Sequence, residues 1–244
     1  MIEERGADMR KIGVMDSGIG GTTVLREIRE LLPKEDYIYY ADSKNNPYGE
    51  KNDDLLYGIV KKGVEYLKSR NCKIVVLACN TATAKCIKRL REEYSNIVFV
   101  GTEPAIKIAC DNNYKNVLVL ATPATIESER LHKIIECSKK DYQNLELVSC
   151  YGLANAIERD AKEEVNKILS GIKEKIESEP EAIVLGCTHY PLIAKEIRNF
   201  FPNAILLDGS KGVAMQVKRQ LLKYDLLSDC GTGIVEYIDT GKES

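Results

Sequence analysis

No stretch of the sequence approaches the roughly 18 uninterrupted apolar residues that mark a membrane helix, so no span is expected. Net charge is scarce too. The 35 basic side chains nearly cancel 37 acidic ones, and a balance of −2 gives neither nucleic acid nor an anionic membrane an electrostatic reason to bind. The opening MIEERGADMRK is charged and lacks the apolar centre of a secretory signal. Residues 1–9 read as a short disordered extension, and the protein as cytoplasmic. Among the eight cysteines no pair is spaced C-x-x-C, which argues against a zinc ribbon and a thioredoxin-like motif. A disulfide framework is equally unexpected in a chain of this length without a secretory signal. Histidine occurs only at 132 and 189, and no lysine sits in a recognisable Schiff-base context. What remains is a reduced protein whose thiols mostly serve as small buried hydrophobes.

With 244 residues, 44% of them hydrophobic, the chain can bury one large core or two smaller ones. Apolar strand-like runs alternate with amphipathic helical patterns. KIGVMD (11–16) leads through a glycine turn into TTVLREIRELL (22–32), where Val24, Leu25, Ile28, Leu31 and Leu32 share a helical face. YIYYAD (37–42), KIVVLAC (73–79), IVFVG (97–101), NVLVLAT (116–122), AIVLGC (182–187) and AILLD (204–208) read as further strands. Helices are expected over 59–69, from about Thr83 to Tyr94, over 163–176 and after 187. DGSKGVAMQVKRQLLKYDLL is expected to return to the first domain as a helix, and GIVEYIDTGK to add a closing strand. Continuous apolar strands alternating with helices predict parallel sheets covered on both faces. The expected fold is α/β, with two pseudo-symmetric doubly wound domains of mainly parallel sheet, residues 10–101 plus 209–244 and residues 102–208. The site is expected in the cleft between them.

That division rests on an internal repeat. IVVLACNTATAK (74–85) and AIVLGCTHYPLI (182–193) each end an apolar run in a small residue and a cysteine, and each cysteine precedes the isoleucine of the next strand by 18 residues. Cys79 and Cys187 stand 108 residues apart, and aligning IGVMDSGIGG with VLVLATPATI sets Asp16-Ser17 against Ala121-Thr122 at an offset of 105. The plainer explanation is that buried parallel strands look alike anyway. A true repeat would let a pseudo-twofold axis bring the carboxyl ends of both sheets to one cleft, where open α/β sheets bind ligands.

Two cysteines facing each other across such a cleft could form a disulfide or handle a proton from opposite sides of a substrate. A thiol titrates near 8.5, and each cysteine precedes a helix whose unpaired N–H groups favour the thiolate. One thiolate could take a proton from carbon while the other thiol supplies one to the opposite face, inverting a stereocentre. On the residues alone, other readings stay open. DSGIGG is also a plain strand-to-helix turn whose glycine spacing does not make G-x-G-x-x-G, PYG (47–49) a surface turn, and Thr122 a helix cap. Cys79, Cys187 and His189 make a thin metal set, so no metal is expected. His132 and cysteines 72, 86, 110, 137, 150 and 230 read as structural.

MDSGIGG (15–21), PYG (47–49), ACNTATA (78–84), EPA (103–105) and GCTHYPLI (186–193), in this order between Lys11 and about Thr240, resemble the glutamate racemases. The resemblance implies a cofactor-independent racemase of two pseudo-symmetric α/β domains that interconverts L- and D-glutamate for bacterial peptidoglycan. It also implies a homodimer, in one of several arrangements. Cys79 and Cys187 match the two catalytic acid/base cysteines. Asp16 and Ser17 match substrate-site residues, and Asp16 could hold or accept the proton of a nearby thiol. The Tyr48 and Gly49 backbone falls at the substrate carboxylate. Asn80, Thr81 and Thr188 match ligands of the amino and carboxylate groups, and Thr122 a further contact. His189 matches the histidine that protonates or orients the second cysteine, near neutrality for an ordinary imidazole. Glu158 falls where the family has a glutamate near that histidine, although Asn155 replaces the usual proline, and it otherwise reads as an exposed helix charge. VFVGTEPA is one residue tighter than the commonest family form.

Competing readings are a relative acting on aspartate or a hydantoin, a thiol redox protein joining Cys79 to Cys187, and a binding protein on the same fold. His189 favours glutamate, because similar aspartate racemases tend to carry an acidic residue there. The intact cysteines, Asp16 and His189 speak against mere binding.

Overall fold

Every residue of Ile12–Asp16, Ile74–Leu77 and Ala182–Gly186 is buried, as strands covered by helices on both faces require. In the computed structural model these form part of a chain described over residues 10–138 and 144–242; the expected extension at 1–9 lies outside the described residues. In chain order the elements are β1 (Ile12–Asp16), α1 (Thr22–Leu31), β2 (Tyr37–Ala41), α2 (Asp53–Ser69), β3 (Ile74–Leu77), α3 (Asn80–Glu93) and β4 (Phe99–Gly101). There follow α4 (Ile106–Asp111), β5 (Asn116–Ala121), α5 (Pro123–Ile126), α6 (Glu129–Cys137), β6 (Asn144–Ser149), α7 (Leu153–Glu158) and α8 (Lys162–Lys173). The described chain ends with β7 (Ala182–Gly186), α9 (Ala194–Phe200), β8 (Ile205–Leu207), α10 (Ser210–Lys223) and β9 (Val235–Asp239).

The strands form two sheets, ordered β4-β3-β1-β2-β9 and β6-β5-β7-β8, with every pairing parallel. Read from its other edge, the second sheet runs β8-β7-β5-β6, the order of the first without β9. The internal repeat is therefore structural. β3 pairs with β1 from Ile12↔Ile74 to Met15↔Leu77, and β7 pairs with β5 from Val117↔Ala182 to Ala121↔Gly186. Cys79 and Cys187 thus follow strands that occupy equivalent places in the two sheets.

Four apolar clusters fill the faces. Ile12, Val14 and Val76 pack under α1 and α10, and Val75, Leu77 and Ile38 under α2 and α3. Ile183 and Leu185 meet α7, α8 and α9, while Val119 and Val184 meet α4 and α6. Burying each such side chain contributes roughly 1.5–3 kcal/mol. The C-terminal part returns to the first sheet as expected: α10 packs on α1, and β9 pairs with β2.

Several boundaries differ from expectation. α2 begins at Asp53 because Asn52 caps it, its side chain accepting from the Leu55 N–H at 2.9 Å, with Asp53 and Asp54 in the positive first turn. α3 starts at Asn80, directly behind Cys79, rather than at Thr83. β6 was not expected; it is a half-buried edge strand with Glu146 in its middle, so its apolar run is broken.

Beneath the first sheet, Lys73 Nζ meets Glu35 Oε2 at 2.7 Å, with both side chains almost fully buried. Lys73 Nζ also donates to the Leu226 carbonyl at 2.7 Å, and the Ser228 N–H donates to Glu35 Oε1 at 2.8 Å. The pair therefore pins the segment between α10 and β9. Removing one member of a buried pair leaves the other charge uncompensated, so Glu35→Ala should lower stability by about 3–5 kcal/mol. A urea midpoint unchanged from the unaltered protein would refute this.

Candidate active site

β1 and β3 lie side by side, so the turns that leave them, Ser17–Gly21 and Cys79–Asn80, emerge together at the carboxyl end of the first sheet. β5 and β7 do the same in the second sheet with Thr122 and Cys187. One pocket is lined from both sides by Ser17, Cys79, Thr81, Thr122, Cys187 and His189, with the 46–50 loop alongside. The expected substrate residues Tyr48 and Gly49 belong to that loop, and Gly49 packs on Thr122 of the second sheet. The two sheets are also bonded across the pocket, with 2.9 Å between Thr81 Oγ1 and Thr122 Oγ1. Thr122 is a helix cap as well, its side chain accepting from the Thr125 N–H.

Asp16, Asn80, Thr188 and Glu158 stand behind this lining. Asp16 is fully buried; its carboxylate accepts from Thr188 Oγ1 at 3.2 Å and from the Gly18 N–H at 3.1 Å. Burial pushes its carboxyl up, against the opposing pull of His189, the Gly18 and Gly21 N–H groups and Thr188. Asn80 is buried as the first residue of α3. Glu158 is no exposed helix charge: it ends α7 with 15% of its side chain accessible, and lies 2.6 Å from His189 Nε2. Both its oxygens accept from the Ile19 N–H at 3.1 Å, a contact between the halves that no sequence pattern announced.

His189 Nδ1 faces Cys187 Sγ at 3.8 Å. Burial alone would lower the imidazole's pKa, yet the hydrogen bonds to Cys187 and Glu158, with Asp16 nearby, push it up to about 10. These partners favour the imidazolium, whereas an ordinary imidazole titrates near neutrality. At Cys79 other influences outweigh the helix N–H groups. It caps α3, where helix N–H groups were expected to favour the thiolate, but burial and the adjacent Asp16 push its thiol well up. The Ala82 N–H and Ser17 hydroxyl pull the other way and lose. The two thiols thus have different neighbours, a carboxyl at Cys79 and a cation at Cys187.

Cys150, expected to be structural only, lines the pocket too, a buried thiol pushed up to about 12 by burial. Asn46 and Asn155 are further lining residues that sequence reasoning missed, Asn155 being the position where the family's usual proline is absent. His132 lies exposed on α6, away from the pocket. Among the described residues no group of three or more His, Cys, Asp or Glu converges as a metal site, and no helix is long and apolar enough to cross a membrane.

The sequence profile of the Asp/Glu/Hydantoin racemase family matches residues 12–216. The chain belongs to that racemase family. The glutamate racemase of Clostridium acetobutylicum is 42% identical over 222 residues, covering 89% of this chain and 86% of that one. Among solved structures, the Francisella tularensis glutamate racemase in complex with D-glutamate superposes with a TM-score of 0.82 at 27% identity, over 97% of this chain and 90% of that one. The Thermus thermophilus glutamate racemase in complex with β-chloro-D-alanine gives 0.80 at 30% identity, over the same shares.

The glycines of DSGIGG have a steric reason in this racemase-family site. A methyl group at Gly20 would overlap the His189 ring, and one at Gly18 would overlap the Glu158 carboxylate. The glycines let the first half close on the imidazolium–carboxylate pair of the second. Gly20→Ala is therefore expected to displace the His189 ring at the pocket wall and to lower racemase activity by about 10–100-fold, because a small misplacement of a pocket side chain has effects of that order. Far-UV circular dichroism should stay unchanged. An alanine variant with full activity would remove the close packing from the account.

Proposed function

We propose that the protein is a cofactor-independent glutamate racemase in which Cys79 and Cys187 act as the two acid/base groups. The observation that carries this reading is that these cysteines follow equivalent strands of two different sheets and line one pocket between them. Relatives named glutamate racemases at 40% and 42% identity support glutamate as substrate.

One sulfur, as thiolate, removes the α-proton, and the electron pair passes into the carboxylate as an enediolate. The other, as thiol, returns a proton to the opposite face of the same carbon. The cysteines then exchange protonation states for the reverse reaction. His189 and Glu158 hold and pass the proton that Cys187 exchanges, while Asp16 plays the corresponding part beside Cys79. Ser17, Thr81, Thr122, Thr188, Asn80 and the Tyr48–Gly49 backbone bind the amino and carboxylate groups. Donors fixed in a water-poor site stabilise the developing charge better than water does.

In the cell the enzyme would be cytoplasmic, homodimeric and a source of D-glutamate for peptidoglycan. The two domains would comprise 10–101 plus 209–244 and 102–208.

The test is incubation of the purified protein with L-glutamate in D₂O without added cofactor. Loss of optical activity with deuterium at the α-carbon is expected. Exchange with aspartate but not glutamate would move the substrate, and inertness toward every amino acid would overturn the racemase reading.

A further inference from the structure

Among the described residues the pocket is lined by no lysine or arginine, and Glu50 at its rim adds a carboxylate. Its cation is the His189 imidazolium, already held by Glu158. An acidic amino acid bound there would have to satisfy its carboxylates largely with neutral donors such as the Ser17, Thr81 and Thr122 hydroxyls and the Asn46 and Asn155 amides. One such donor has nothing to donate to. The side-chain amide nitrogen of Asn46 is buried without a hydrogen-bond partner, and Asn46 lines the pocket together with Cys79, Thr81, Thr122 and Cys187. Buried polar groups are almost always paired, so an orphan in a pocket wall points to a partner that arrives with the ligand.

The loop that carries Asn46 is fixed from both sides. Asn45 Nδ2 donates to the two Asp42 oxygens at 2.9 and 3.1 Å, and Tyr48 OH donates to Asp42 Oδ2 at 2.6 Å. Thr240, just after β9, donates to Asp42 Oδ1 at 2.8 Å and accepts from the Lys44 N–H at 3.1 Å. Asp42 is itself buried. The amide is therefore held in place at the pocket wall before any ligand binds, which reduces the ordering a ligand must impose.

We propose that Asn46 is a substrate-recognising residue whose side-chain N–H donates to a carboxylate oxygen of the bound amino acid. This rests on the racemase reading above and extends it to a residue outside the motifs that carry that reading. A hydrogen bond to a charged acceptor, once lost, weakens binding by about 10–100-fold. Calorimetric titration of L-glutamate into the Cys79→Ser/Cys187→Ser double variant reads binding without turnover. Adding Asn46→Leu should weaken glutamate by that factor, and Asn46→Asp by more, since it sets a carboxylate against a carboxylate. In the otherwise unaltered enzyme, Asn46→Leu should raise KM more than it lowers kcat. Its melting temperature should equal or exceed that of the parent, because an unpaired buried donor has gone, whereas a structural asparagine would lower it on removal.

Glutamate that binds Asn46→Leu as tightly as the parent would overturn this inference alone. Glutamate that fails to bind the parent would overturn the functional reading, and the inference with it.

Discussion

Serine in place of either Cys79 or Cys187 should lower glutamate racemisation by about 10²–10⁴-fold, the usual worth of a general acid or base. Replacing both should lower it little further. Each turnover needs a proton removed from one face and another delivered to the opposite face, and the two cysteines line the pocket from different sheets. A serine hydroxyl at either place fits sterically but neither ionises nor gives up its proton on the scale of a thiol. Groups that act as one unit are grossly non-additive, so the double variant should resemble the worse single one. Racemisation followed by circular dichroism, with α-deuterium read by NMR, separates the possibilities. If Cys187→Ser keeps more than a tenth of the parental rate while Cys79→Ser is dead, a single base serves both faces. Disulfide chemistry makes the opposite forecast for oxidants: a thiol redox protein should work through a Cys79–Cys187 bond, whereas a racemase should be silenced by it.

Much of this arrangement was legible in the residue order because parallel strands buried on both faces leave a plain signature. The runs ending at Asp16, Leu77, Ala121 and Gly186 are continuous apolar stretches, and their matching order in the two sheets is what the cysteine spacing of 108 residues encoded. Short local signals were also readable, such as small and hydroxyl residues directly after each cysteine. What escaped were features set by tertiary contact. β6 is an edge strand interrupted by Glu146, so its apolar pattern is weak. The N–H of Ile19 reaches Glu158 across 139 positions of chain, and Thr240 reaches Asp42 across 198. At Cys79 the helix N–H groups that favour the thiolate are visible in sequence, whereas the burial and the Asp16 carboxyl that outweigh them are not. Cys150 escaped for the same reason: nothing in SCYGLANAIE marks a core thiol as also lining a pocket.

Glu158→Gln should lower kcat/KM at pH 8 by about 10²-fold and move the basic limb of its pH profile to lower pH. In the unaltered protein Glu158 accepts from the Ile19 N–H and pairs with His189 Nε2 at 2.6 Å. Glutamine keeps one carbonyl oxygen. If that oxygen serves Ile19, the amide presents N–H groups to a ring that is itself a donor, and the imidazolium loses its counter-charge. Burial, which alone would lower the His189 pKa, then faces less opposition, and the value of about 10 falls toward or below the ordinary 6.5 or so. Activity that depends on a protonated His189 should therefore survive to nearly pH 10 in the parent but fade near neutrality in the variant, with the two closest at pH 6. The stability effect has a definite sign. A histidine whose folded pKa lies above its unfolded value stabilises the fold fully below about pH 6.5, and that contribution is lost as pH rises through about 10. The parent's advantage in melting temperature should accordingly be widest near pH 6 and shrink toward pH 10. Profiles that run parallel from pH 6 to 10, displaced only in height, would show that Glu158 merely fastens Ile19 and leaves the proton on His189 where it was.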